Sequence, residues 1–217
     1  MAPMVFADED IILKLAEYDL LDETCALAQV TPSEVRVRFA TPRVLWGKRR
    51  KLITGPDPGH TDAGFDRAIA FAENAHPITD RPPDEYYDAI RAVEGIDPGE
   101  ALLIATALTV TLDPVILTGD KRCLRALGKS ESLRDVRHRL SGCAVCLEEA
   151  LRSLILRRNF VSVRGAVAQA PPDCDKAITD AFRGASKYDW ERVLGKLEAE
   201  LASLEEDVGK GWLKRLC

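Results

Sequence analysis

Val115-Ile116-Leu117 is the run that most narrows what this chain can fold into. Such a strand is apolar on both sides and must be covered by helices on both faces, which is the mark of a parallel sheet. Thr118-Gly119-Asp120 follows at once. In open parallel sheets ligands bind beyond the carboxyl ends of the strands, and Asp120 falls at such an end. Just upstream, Asp97-Pro98-Gly99-Glu100 leads into the apolar run Ala101 to Val110, the pattern of a buried helix with Glu100 in its first turn. The helix dipole favours negative charge there. From 97 to 127 the chain therefore reads as helix, turn, buried strand and helix, with one acid at the start of the first helix and another past the strand.

The amino terminus repeats the junction. Met4 to Ala7 predicts a first strand that ends at Asp8-Glu9-Asp10, and Ile11, Ile12, Leu13, Leu15, Leu20 and Leu21 continue at helical spacing. Asp8 then ends a strand, and Asp10 sits near the cap of the following helix. Helices are expected over 22–28, 61–75, 84–93, 130–140 and 148–158, with a loop at Gly55 to Gly59 and a break at 77–83. Residues 141–147 read as a last short strand or strand-to-helix turn. Val30-Thr31-Pro32-Ser33-Glu34 carries the signs of a helix start, with Glu34 in the first turn. Pro171-Pro172 marks a boundary. Beyond it 173–183 and 188–216 read as helices, the last with a stripe through Val193, Leu194, Leu197, Leu201 and Leu204.

With 217 residues, 46% of them hydrophobic, the chain can bury a good core as one domain plus an appendage. Its net charge of −5 excludes a polycation, so any affinity for nucleic acid has to come from a local patch. One exists: Arg36, Arg38, Arg43, Lys48, Arg49, Arg50 and Lys51 give seven basic residues against one acid between 34 and 51. Trp46 lies among them, where it can stack on a base or be buried. No apolar run approaches the roughly 20 residues of a bilayer span, and MAPMVFADED has neither the basic region nor the apolar core of a secretory signal. Six scattered cysteines in a chain of this size suit reduced thiols and a cytoplasmic protein. Cys143 and Cys146 lack a second cysteine pair or histidines at ligand spacing, so core thiols are the expectation there.

Three segments together resemble a PIN domain, the small α/β nuclease fold of toxins in toxin–antitoxin pairs and of RNA-processing enzymes. VFADEDIILKLAEYDLL is similar to the family's opening strand, its Asp and the next helix. GIDPGEALLIATAL is similar to the GEA-type helix of one bacterial branch, and VILTGDKRCLRAL to the strand, acid and helix that follow. The resemblance implies a three-layer PIN-like fold over 1–147, with a central parallel sheet flanked by helices, and leaves 148–217 as a helical C-terminal extension. It implies catalytic acids at Asp8, Glu100 and Asp120 that hold one or two Mg²⁺ or Mn²⁺ ions. A hard divalent cation relieves the repulsion among clustered carboxylates and activates water against a phosphodiester. The family's further acid falls near SEVRVRF, where Arg38 stands nearer the family's position and Glu34, the only acid there and one helical turn earlier on the same face, is the candidate fourth catalytic acid. Lys121-Arg122 replace a variable acid after the last strand. Asp10 is either a ligand through water or, more simply, a helix cap. The implied partners are nucleic acid, RNA ahead of DNA, contacted by the basic residues from Arg36 to Lys51, and a protein such as an antitoxin on the C-terminal helices, with a second copy of the chain as another option.

Two other readings compete. A PIN-like fold with a degraded site would serve as a nucleic-acid-binding or scaffolding module, and Arg38 favours that. Asp8-Glu9-Asp10 also resembles the DxD motif of haloacid-dehalogenase-like phosphatases, with Asp8 as nucleophile; the downstream acid pair is missing, because Leu124 stands four residues after Asp120. Taken singly, each of Asp8, Glu100 and Asp120 is explained by helix capping or the helix dipole.

Overall fold

A computed structural model describes residues 3–55, 59–110, 113–157 and 159–216, the side chains of 53 and 54 excepted. Residues 56–58 of the expected loop, Arg158 and Cys217 lie outside the described residues. Five parallel strands form one sheet: β1 (Met4–Ala7), β2 (Arg36–Arg38), β3 (His76–Ile78), β4 (Pro114–Thr118) and β5 (Ala144–Cys146). The order across the sheet is β3-β2-β1-β4-β5. The chain works outward from β1 to one side, then returns to lay β4 on the other. β1 and β4 thus flank the point where the winding reverses, the usual place for a ligand crevice.

Helices cover both faces, giving the three-layer α/β architecture expected. In chain order they are α1 (Glu9–Glu17), α2 (Leu21–Leu27), α3 (Thr41–Thr54), α4 (Asp62–Asn74), α5 (Asp84–Arg91), α6 (Pro98–Thr109), α7 (Lys121–Lys129), α8 (Arg134–Arg139), α9 (Leu147–Arg157), α10 (Phe160–Gln169), α11 (Lys176–Phe182) and α12 (Trp190–Val208). Strand residues alternate between two cores. Val5, Ala7, Val115, Leu117 and Val145 face α1, α2, α4 and α9 to α11. Phe6, Ile116, Ala144 and Cys146 face α5 to α8. No helix among the described residues is long and apolar enough to cross a membrane.

The C-terminal segment belongs to both cores. Val193, Leu194 and Leu197 of α12 join the first and Leu201, Leu204 and Val208 the second, so this helix runs around the β5 edge from one layer to the other. Its leucine stripe packs back on the molecule. Gly128 of α7 permits the approach, since a Cβ there would fall 2.5 Å from the Val208 Cα. The last helix ends at Val208, eight residues short of its expected limit, because Gly209 takes φ 105° and glycine alone adopts that region cheaply. The tail beyond it turns back: Leu213 bridges Ala144 in parallel, and Lys214 N–H donates to the Ala144 carbonyl at 2.7 Å. The exposed edge of β5 is thereby covered.

Between 31 and 38 the structure corrects the expected helix. Thr31 caps only a single 3₁₀ turn, Pro32–Glu34, after which the chain extends into β2. Val35 and Val37 are buried while Arg36 and Arg38 are half-buried, a period-two pattern that favours strand over helix. α3, β3 and α10 were not foreseen. Pro77 occupies β3, which is tolerable because that strand lies at the sheet edge.

Candidate active site at the carboxyl edge of the sheet

Parallel register sets the acids' positions. Ala7 pairs with Leu117, and Asp8 N–H donates to the Leu117 carbonyl at 3.1 Å, so Asp8 leaves β1 level with the end of β4. One Asp8 oxygen accepts from Ile11 N–H at 2.7 Å and caps α1. The other accepts from the Thr118 hydroxyl and from Gly119 N–H at 3.2 Å. Burial, then the negative charge of Asp10, pushes the Asp8 carboxyl up to about 6, although the hydrogen bonds from Ile11, Thr118 and Gly119 pull the other way. Capping by Asp8 corrects the role expected of Asp10. Asp10 sits one residue inside α1 and pairs with Lys14 at 2.8 Å.

Glu100 reaches the same space from the first turn of α6. Its carboxylate accepts from Asp97 N–H at 2.7 Å, while Asp97 accepts from Gly99 and Glu100 N–H, a reciprocal cap on a helix that is otherwise buried. Burial raises the Glu100 pKa to about 7, with Asp97, Asp120 and Asp8 adding their negative charges against the opposing Asp97 hydrogen bond. Asp120 caps α7 through Arg122 and Cys123 N–H and is held from outside by the Arg122 guanidinium at 2.6 Å. Burial alone would raise its pKa; the hydrogen bonds and charge of Arg122 outweigh this and hold the carboxyl below the usual carboxylate range.

These three acids line one cleft of about 470 Å³, together with Glu9, Asp10 and Asp97. Six cations share the wall: Lys14, Arg38, Lys48, Lys121, Arg122 and Arg125. Each has an acidic partner. Arg38 and Lys48 pair with Glu9, Lys121 with Glu148 at 2.6 Å, and Arg125 with Asp207 at 2.7 Å. Arg38 comes from the end of β2, level with Asp8, and its guanidinium lies against Gly99, where any side chain would collide with it. No family model, curated protein or solved structure matches this chain.

Glu34 does not join the site. Arg36 is level with Phe6, so Glu34 precedes β2 at the opposite edge of the sheet from Asp8. Its carboxylate accepts from Thr31 N–H at 2.7 Å and from the Thr31 hydroxyl at 2.8 Å, which lowers its pKa. The predicted basic set also divides. Of its seven members only Arg38 and Lys48 line the cleft. Arg49 turns to α4, pairing with Asp62 and Asp66 at 3.2 and 2.6 Å. Arg36 is inside the sheet, while Arg43, Arg50 and Lys51 are exposed on α3. Glu9 and Asp97 are the wall acids that sequence reasoning missed, and Lys14, Lys121, Arg122 and Arg125 the wall cations it did not assign to the site. Asp97 was detectable as the first member of an Asp-x-x-Glu capping pattern, whereas nothing local links Glu9 to Arg38 and Lys48. The five described cysteines are free and buried, Cys143 and Cys146 among them.

The fit of a divalent cation has two sides. Asp8, Glu100 and Asp120 offer only hard oxygen donors, and their crowding is what a cation would relieve. As the side chains stand, no three His, Cys, Asp or Glu groups among the described residues are grouped closely enough to hold a metal. Each carboxylate is instead turned to a helix cap, and Asp120 is held by Arg122. The Arg122 side chain is 85% exposed while Asp120 is 18% exposed, so a cation that took the Asp120 oxygens would release Arg122 into solvent.

Proposed function

We propose that this chain is a divalent-metal-dependent nuclease that hydrolyses phosphodiesters, single-stranded RNA first among them, at Asp8, Glu100 and Asp120. One observation carries the reading. Asp8 and Glu100, brought from different elements into one cleft, have pKa values lifted to about 6 and 7 by burial and neighbouring negative charge. Carboxylates whose pKa is raised by burial and by nearby acids in a cleft are the physical signature of a functional site. Asp8, Glu100 and Asp120 would hold Mg²⁺ or Mn²⁺. Such an ion, when bound, lowers the pKa of a water and offsets the charge that builds on a phosphodiester.

The chain's own residues supply the rest. Lys14, Arg38 and Lys48 stand on the cleft wall as cations for the phosphates on either side of the scissile bond. Thr118 and Gly119 hold the Asp8 carboxylate in place from β4. Ordered resemblance of three segments to the PIN family supports the same reading.

Glu100→Gln and Asp120→Asn test it on labelled single-stranded RNA with Mn²⁺. Each is expected to lower the cleavage rate by roughly 10²-fold or more, given that one well-placed electrostatic contact contributes that much. Wild-type and variant rates that coincide would end the proposal. A second reading, a binding module with a lapsed site, is favoured by the Arg38–Glu9 and Arg122–Asp120 pairs. It predicts tight binding by the wild type with no cleavage in any divalent metal.

A further inference from the structure

Outside the cleft, α3 carries a surface that the acids do not explain. Arg43, Trp46 and Arg50 recur at three- and four-residue spacing on its exposed side, and Phe39 is exposed in the turn that leads into the helix. Phe39 is 75% exposed and Trp46 42%. Leaving a Phe in water forgoes roughly 1.5–3 kcal/mol of burial, and here two large aromatics are left exposed at one end of a basic helix. The ring of Trp46 is braced: its N–H donates to Glu73 at 3.4 Å, and the Arg49 guanidinium lies 5.3 Å from its centroid. Arg49 is in turn fixed by Asp62 and Asp66. Arg43 and Arg50 have no acidic partner among the described residues, and α3 contains no acid. Phe39 follows Arg38 directly, so the stripe starts at the cleft wall.

We infer that Phe39, Arg43, Trp46 and Arg50 form a track for single-stranded nucleic acid, with bases stacked on the two rings and phosphates held by the two arginines. In a duplex the base faces are already stacked, so the track selects single strands. Charge complementarity decides the occupant: an acid-free helix face with unpaired arginines suits a polyanion. The inference rests on the reading of the cleft as a phosphodiester site only for the choice of nucleic acid.

Binding measured in EDTA separates the two claims, because no cleavage is needed for it. Fluorescence anisotropy with a labelled single-stranded RNA is expected to show that Phe39→Ala and Trp46→Ala each weaken binding roughly 5- to 100-fold. Arg43→Ser is expected to weaken it with a shallower salt dependence, and a duplex of the same sequence is expected to bind less tightly. Trp46→Phe, which keeps a ring, should retain most of the affinity and shows that the fold is intact. Unchanged affinity in Phe39→Ala and Arg43→Ser, equal affinity for duplex, or no binding by the wild type would overturn the inference and pass the stripe to a protein partner. Loss of cleavage with binding retained in wild type would overturn the nuclease reading alone.

Discussion

Asp8→Asn is expected to lose roughly 10³-fold or more of metal-dependent cleavage and, in metal-free buffer at pH 8, to gain stability relative to its own value at pH 5 when each is compared with wild type. The loss follows from the role proposed for Asp8. A metal ion that stabilises transition-state charge by several kcal/mol corresponds to about three decades in rate at 1.36 kcal/mol each. The stability effect follows from the shift itself. The Asp8 carboxyl has its pKa raised from 3.8 to about 6 in the folded protein. A raised acid pKa contributes stability that is complete below the unfolded value and is lost as pH rises through the folded value. Wild type therefore forfeits on the order of 1–3 kcal/mol between about pH 4 and 6.5. Asn does not titrate and forfeits none. Asn also fails to satisfy every donor that Asp8 accepts, but that cost is independent of pH and cancels in the comparison. Urea denaturation in EDTA at pH 5 and pH 8 measures it. An equal offset between the two proteins at both pH values would show that Asp8 is an ordinary cap.

Glu149→Ala is expected to cost about 2–4 kcal/mol of folding stability through lost buried hydrogen bonds and an orphaned charge. Glu149 is 0% exposed. One of its oxygens accepts from the Ser153 hydroxyl at 2.7 Å and from Leu216 N–H at 3.0 Å, and the other from Arg215 at 2.9 Å. It is the anchor that returns the tail to the β5 edge after the turn at Gly209. Without it, Leu216 N–H loses its acceptor inside the core, the Ser153 hydroxyl keeps only the Leu216 carbonyl, and the bridge from Leu213 to Ala144 loses support. Arg215 is partly solvated, so its orphaning costs less than that of a fully buried cation. Glu149→Gln, which keeps one oxygen acceptor, is expected to fall between the two. An unfolding free energy from urea denaturation of Glu149→Ala within about 0.5 kcal/mol of wild type would contradict this, and hydrogen exchange at Lys214 locates any fraying.

Residues whose role is local were the ones readable from the chain. Val115 to Leu117 could only be a doubly covered strand, and Asp8 and Asp120 stand at strand-to-helix junctions that the apolar pattern marks on its own. Glu34 failed because two local signals conflicted. Thr31-Pro32-Ser33-Glu34 does start a helical turn, but the alternation of Val35 and Val37 with Arg36 and Arg38 continues as strand, and sheet pairing with β1 and β3 decides between them. Arg38 and Lys48 become partners of Glu9, and the tail at Leu213 a neighbour of Ala144, only through tertiary packing. No periodicity in a single sequence encodes such pairs. The division of the basic stretch between cleft, α4 and solvent has the same origin, since composition counts charges and only the helix's docking decides which way each one points.

The most direct test of the central claim is diffraction from crystals soaked in Mn²⁺, with anomalous scattering used to locate the ion. The account predicts a peak in the cleft within roughly 2.0–2.5 Å of carboxylate oxygens from Asp8, Glu100 and Asp120, with Arg122 withdrawn from Asp120. A cleft without a peak at saturating Mn²⁺, or an ion held elsewhere with Asp8 and Glu100 still turned to their caps, would contradict it.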